Sequence, residues 1–188
     1  MEWNPYYAAS DDSYEEFMEH YVRELTIDFR RAGGGTPLMG ALRNKNPQDK
    51  VRIANQLLGD GADASLVAEG SDQINVLHVL FGLRWKYHDF ELEAPLLARL
   101  LEGGADINLK SPRFGVPMEM LASMGASDEE LAPFYDVVFS RPDIDFDVVI
   151  NKTGPYTLGE SLLSSGRPDL PKRARAYLDK RESDPDAG

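Results

Sequence analysis

A recurrence at roughly forty-residue spacing constrains the possible fold of this chain more than any other feature, because periods of this length mark stacked repeats. The segments GGTPLMGAL (34–42), QINVLHVLF (73–81), FGVPMEMLA (114–122) and GPYTLGESL (154–162) align. Thr36, Asn75, Val116 and Tyr156 share one slot, at separations of 39, 41 and 40 residues. Leu38, Leu77, Met118 and Leu158 share a second slot, expected to be buried. Pro37 and Pro117 begin two of these helices, where the missing N–H and fixed φ of proline cost nothing. A second series runs beside the first. IANQLLGDGADAS (53–65) matches LLARLLEGGADIN (96–108), and YDVVFSRPDIDF (135–146) is a looser third copy in which Asp143 stands for Asp63 and Asp106. In the first two a Leu-Leu pair precedes Gly-Ala-Asp, a helix running into a left-handed glycine stop. The unit therefore reads as helix, short turn, helix, then an extended hairpin-like loop.

The run Gly33-Gly34-Gly35 invites a phosphate-loop reading, and that reading fails. Gly35 and Gly40 have Walker spacing, but Ala41-Leu42 stand where Lys and Ser or Thr are required. A dinucleotide loop needs a preceding strand, whereas residues 14–31 carry a helical pattern. Tyr14, Phe17, Tyr21, Leu25 and Phe29 form one apolar stripe at spacings of three or four. Ser13 and Glu16 make a capping box at its start. This predicts a single N-terminal capping helix within segment 1–32. At the other end PKRARAYLDKRES (171–183) predicts a more polar last helix, and 184–188 a frayed tail.

Once the repeats are visible, composition narrows the function. The chain has 188 residues and a net charge of −12. A polyanion-binding protein needs surplus Lys and Arg on one face, so nucleic acid and anionic membrane are not expected partners. Zero cysteines exclude disulfides and thiol chemistry. No apolar run reaches the ~18 residues of a membrane span, and the N-terminus lacks a signal-peptide pattern. A cytoplasmic location is expected.

GGTPLMGAL with LLGDGADAS, and NVLHVL with LLEGGADIN, resemble the ankyrin repeat, whose pattern includes T-P-L-H-x-A and a later G-A-D. The resemblance covers about residues 33–183 as four repeats, near 33–70, 71–110, 111–150 and 151–183. His78 holds the repeat's usual histidine position; Met39, Glu119 and Gly159 depart from it. The repeats exceed the usual ~33 residues, with extra length expected between paired helices, at 43–50 and 84–94. The resemblance implies an all-α solenoid whose concave face binds another protein. It places binding residues at Arg43 and Lys45, at Arg84, Trp85 and Tyr87, at Lys110, Arg113 and Phe114, and at Lys152 and Tyr156. Aromatic residues and arginine dominate interface energies, and here they gather on an otherwise acidic chain. Either this strip grips an acidic patch, or the acidic remainder attracts a basic partner.

No enzyme, metal site or cofactor is expected. His20, His78 and His88 lack companion ligands. His78 reads as a structural hydrogen-bonder, His20 as a polar-face residue, and His88 as part of an exposed insertion. Counting an EF-hand from Asp143 puts Val148 and Gly154 where Gly and Glu belong. Ser161, Ser164 and Ser165 have no nucleophile elbow. A small acidic ankyrin chain of this kind resembles immunity proteins that neutralise a secreted toxin. The alternative is an adaptor or inhibitor of a regulatory protein. A monomer is expected when unbound.

Overall fold

Helix starts are encoded by side chains that accept the first orphan N–H groups of each helix. Asn4 caps α1 (Pro5–Asp11), and Ser13 forms the expected reciprocal box with Glu16 at α2 (Tyr14–His20). Thr36 caps α4 (Pro37–Ala41) after the single turn α3 (Arg23–Thr26), and Asn46 caps α5 (Pro47–Gly59). Asn75 caps α6 (Val76–Gly82), and Asp89 caps α7 (Phe90–Glu102). Val116 precedes α8 (Pro117–Ala122) with no side-chain cap, while Ser127 and Thr157 open α9 (Asp128–Phe139) and α10 (Leu158–Leu163) with capping boxes. The last helix is α11 (Leu170–Ser183). A 3₁₀ turn, Trp85–Tyr87, lies between α6 and α7. The computed structural model describes residues 3–150 and 155–183, and among these the chain is all-α, with two isolated bridges and no strand. Lys152 and the tail 184–188 lie outside the described residues.

The helices form two layers. Short first helices contact one another in the order α1, α4, α6, α8, α10, and second helices, longer from α5 onward, in the order α2, α5, α7, α9, α11. Leu42, Ile53, Leu57, Leu77, Leu97, Leu121, Phe134 and Leu162, all fully buried, fill the space between. Gly61 (φ 102°) and Gly104 (φ 92°) end α5 and α7 in the left-handed conformation. Ala62 N–H returns to the Leu57 carbonyl and Ala105 N–H to that of Leu100, the six-to-one bond of a Schellman stop. Loops between units close on short backbone bonds, Arg31 to Gly35, Ala68 to Ile74, Ser111 with Gly115, and Ile150 to Tyr156. The glycine run serves this loop packing. A Cβ on Gly34 (φ 79°) would lie 2.4 Å from the Glu69 backbone nitrogen, so the loop before α4 seats against the next loop.

Three sequence expectations are corrected. The single capping helix over 14–31 is instead α2 and α3 with non-helical backbone at Tyr21 and beyond Thr26. The end of the stack is covered by a complete pair, α1 and α2, and α1 is a further first helix. Asn4-Pro5-Tyr6 occupies the positions of Thr36-Pro37-Leu38. In the last unit Thr157, not Tyr156, is the helix cap, so that copy is displaced by one residue. In the third hairpin the turn-forming aspartate is Asp145, which accepts Asp147 N–H at 2.9 Å as Asp63 accepts Ser65 N–H and Asp106 accepts Asn108 N–H. Asp143 pairs with Arg141 instead.

Candidate functional site

The first helices present matching positions to one side of the stack. Met39, His78 and Glu119 lie three residues after their caps, and Arg43, Gly82 and Ser123 seven after, so each pair shares a helix face. With the loop tips they line a chain of four adjoining cavities. The first, about 260 Å³, is bounded by Tyr6, Tyr7, Arg31, Arg43 and Lys45. The second, about 420 Å³, runs from Arg31 and Arg43 past Val79 to Arg113 and Phe114. The third, about 290 Å³, lies between Arg43, Lys45, Val79, Leu83, Phe114 and Met120. The fourth, about 420 Å³, holds Lys110, Arg113, Phe114, Glu119, Met120 and Ile150. Arg43 borders the first three and Phe114 the last three, so they form one groove.

Of the residues singled out from sequence, Arg43, Lys45, Lys110, Arg113 and Phe114 meet in this groove. Arg43 is exposed and makes no ion pair among the described residues; the Lys45 ammonium stands 5.8 Å over the Tyr87 ring. Arg113 stacks 5.0 Å over Phe114 and reaches Asp72 at 3.4 Å, while Lys110 donates to the Val149 carbonyl. Phe114 remains 38% exposed. Arg84, Trp85 and Tyr87 lie on the α6–α7 connector, outside the four cavities. Trp85 lies over Gly125 in the α8–α9 turn and is 47% exposed. Tyr156 shares a hydrogen bond with Ser164 beside α10 and does not line the groove. The position of Lys152 is not among those described.

Tyr6, Tyr7, Arg31, Val79 and Met120 are groove residues that sequence reasoning missed. The Arg31 guanidinium lies 4.5 Å over Tyr6 and donates to the Tyr7 hydroxyl. The signal was present as Asn4-Pro5, a helix start like Thr36-Pro37, and as a shared offset of four residues from the cap for Val79 and Met120. Glu119 faces the fourth cavity, where burial raises its carboxyl above the ordinary range against the attraction of Lys110.

The histidines take other roles. His78 Nε2 donates to the Gly115 carbonyl at 2.9 Å, tying α6 to the next loop tip, and burial pushes its pKa down. His20 is exposed beside Trp3. The exposed insertion expected at His88 is a correction: its side chain is fully buried, stacks 5.1 Å from Phe90, and donates to Glu93 at 2.8 Å. Among the described residues no helix is long and apolar enough to cross a membrane.

No family model and no curated protein matches this sequence. The fold is similar to that of a functionally unknown protein from Leptotrichia buccalis C-1013-b. That crystal structure agrees with a TM-score of 0.74 at 23% identity, over 95% of this chain and 94% of that one. The likeness is one of fold along nearly the whole length of both chains.

Proposed function

We propose that this chain is an ankyrin-type solenoid that works without catalysis, holding one cognate protein in the groove along its first helices. Four ankyrin-like units, preceded by the α1–α2 pair, supply the scaffold. The observation that carries the reading is the groove itself: an exposed phenylalanine beside Arg43 and Lys45, which make no ion pair among the described residues, on one side of a molecule of net charge −12. Apolar surface rimmed by polar groups marks interaction sites on soluble proteins, and aromatic and arginine side chains are the usual anchors. Repeat stacks offer such an extended surface because every unit repeats the same exposed positions. A toxin neutralised by occlusion of its active site is the partner class we propose.

The test is affinity capture from the native lysate with the wild type and with an Arg43→Glu, Phe114→Asp variant, both verified as helical by circular dichroism. One protein retained by the wild type and lost by the folded variant supports the groove. If co-expression of this chain then relieves that protein's toxicity, the immunity role stands. Equal retention by both proteins moves the interface elsewhere and overturns the assignment. Several weakly held partners instead of one would favour an adaptor.

A further inference from the structure

We propose that the groove takes a segment of the partner that carries a large apolar side chain flanked by Asp or Glu, with the apolar group entering between α6 and α8 and a carboxylate set against Arg43 and Lys45. This rests on the protein-binding reading above and names the chemistry of its partner.

The central cavity decides it. Its walls are Ile74, Val79, Leu83, Phe114 and Met120, and its rim carries Arg43 and Lys45 with no carboxylate among the lining residues. At about 290 Å³ it falls at the small end of sites that enclose a small molecule, which suits a single side chain. Its mouth is open because α6 ends on Gly82. A Cβ there would already sit 3.3 Å from the Met120 methyl, so any larger residue narrows the entrance.

Charge then selects the flanking groups. Carboxylates do face the neighbouring cavities, at Asp11, Glu69, Asp72 and Glu119, but none forms an ion pair with Arg43 or Lys45. Asp72 is matched to Arg113. Arg43 and Lys45 therefore keep free donors at the edge of an apolar cavity, where a carboxylate forms charge-assisted bonds and an ammonium is repelled. A uniformly acidic partner would be opposed by the net charge of −12 at long range. The complementary occupant is consequently a local motif, one anchor with one or two adjacent acids.

The experiment selects random twelve-residue peptides displayed on phage against the full chain. The strongest peptides are then synthesised and measured by fluorescence anisotropy. Enriched peptides are expected to share Leu, Phe, Met or Trp within two residues of Asp or Glu. Binding should fall at least tenfold in an Arg43→Glu, Lys45→Glu variant and at least tenfold in Gly82→Leu. Changing the peptide acids to lysine should restore binding to the charge-reversed variant. Peptides that are lost in Gly82→Leu yet indifferent to charge reversal, or that are basic, overturn the acidic motif while leaving a protein-binding groove. Peptides untouched by either variant, or no enrichment at all, overturn the motif and the groove together. Self-association of the wild type that Gly82→Leu abolishes would make a second copy the occupant, and would equally overturn the proposal.

Discussion

Lys50 has a fully buried side chain, on α5, and donates to Glu93 Oε1 and to the Tyr87 carbonyl, both at 2.9 Å. Glu93 also accepts from the Asp89 N–H and from His88, so every oxygen of the carboxylate is used. Burial alone would raise the Glu93 pKa; the bonds from His88 and Lys50 outweigh it and hold the carboxyl below its ordinary value. Removing one member leaves a buried charge unmatched. Lys50→Met is expected to lower the urea-unfolding free energy by about 3–5 kcal/mol, and a Lys50→Met, Glu93→Leu double variant to be more stable than Lys50→Met alone. A double variant that loses the sum of both single losses would show that the pair is not coupled. His78 was legible as a structural residue because its repeat slot fixes its neighbours. Burial of Lys50 and His88 was not: Glu93 stands 43 positions from Lys50, and His88, although bonded to Glu93 five positions on, packs edge-on against Phe134 of the next unit.

At the scale of elements, polar side chains tie each helix connector to the adjoining unit. Asn44 donates to the Ala9 and Asp12 carbonyls, fastening the α4–α5 connector to the first pair. Arg167, between α10 and α11, donates to the Ala122, Met124 and Ala126 carbonyls and to Asp128. Arg167→Met should cost about 2–3 kcal/mol, since it strips several charge-assisted bonds from the carbonyls of the α8–α9 turn. Urea midpoints unchanged by this substitution would refute that role. The first pair is held by close backbone approach as well. A Cβ on Gly40 would meet the Tyr6 carbonyl oxygen at 2.3 Å. Gly40→Val is therefore expected to displace α1, costing about 1–3 kcal/mol and speeding hydrogen exchange at the Ala8 and Asp12 amides. Retained protection there would mean that α4 yields instead. The N-terminal pair escaped the sequence reading because the apolar stripe over 14–31 continues across Tyr21. Partial exposure of that residue and the 71% exposure of Leu25 show that the stripe does not face one core.

Acid stability belongs to the whole molecule, since the relevant groups join units. Burial lowers the pKa of His78, so the unfolded chain takes up a proton near 6.5 that the folded one resists. Stability should fall as pH drops below that value. Burial would raise the Asp128 pKa, but N–H bonds from Asp169 and Leu170, with Arg167 and Tyr135, hold it below 3.8. With Glu93 it contributes stability that is complete above about pH 4.5 and lost as pH falls through the folded values. Urea midpoints should decline in two stages; His78→Gln should flatten the first and Asp128→Asn weaken the second. A single decline unaffected by either variant would contradict this. The sequence by itself determined the repeated helix pairs from α4 onward, the capping box at Ser13 and the glycine stops after α5 and α7, because these depend on side chains within a few residues of the backbone they order. The resemblance it carries also pointed to Arg43, Lys45, Lys110, Arg113 and Phe114, which line the groove. Only the tertiary structure decided that α1 opens the stack, that the last copy is displaced by one residue, that Trp85 lies over Gly125, and that Val79 and Met120 wall a cavity. Asn4-Pro5, the Thr157–Glu160 capping box and the shared offset of Val79 and Met120 are local marks, but what each element packs against depends on contacts between residues some forty positions apart, which leave no local pattern to read.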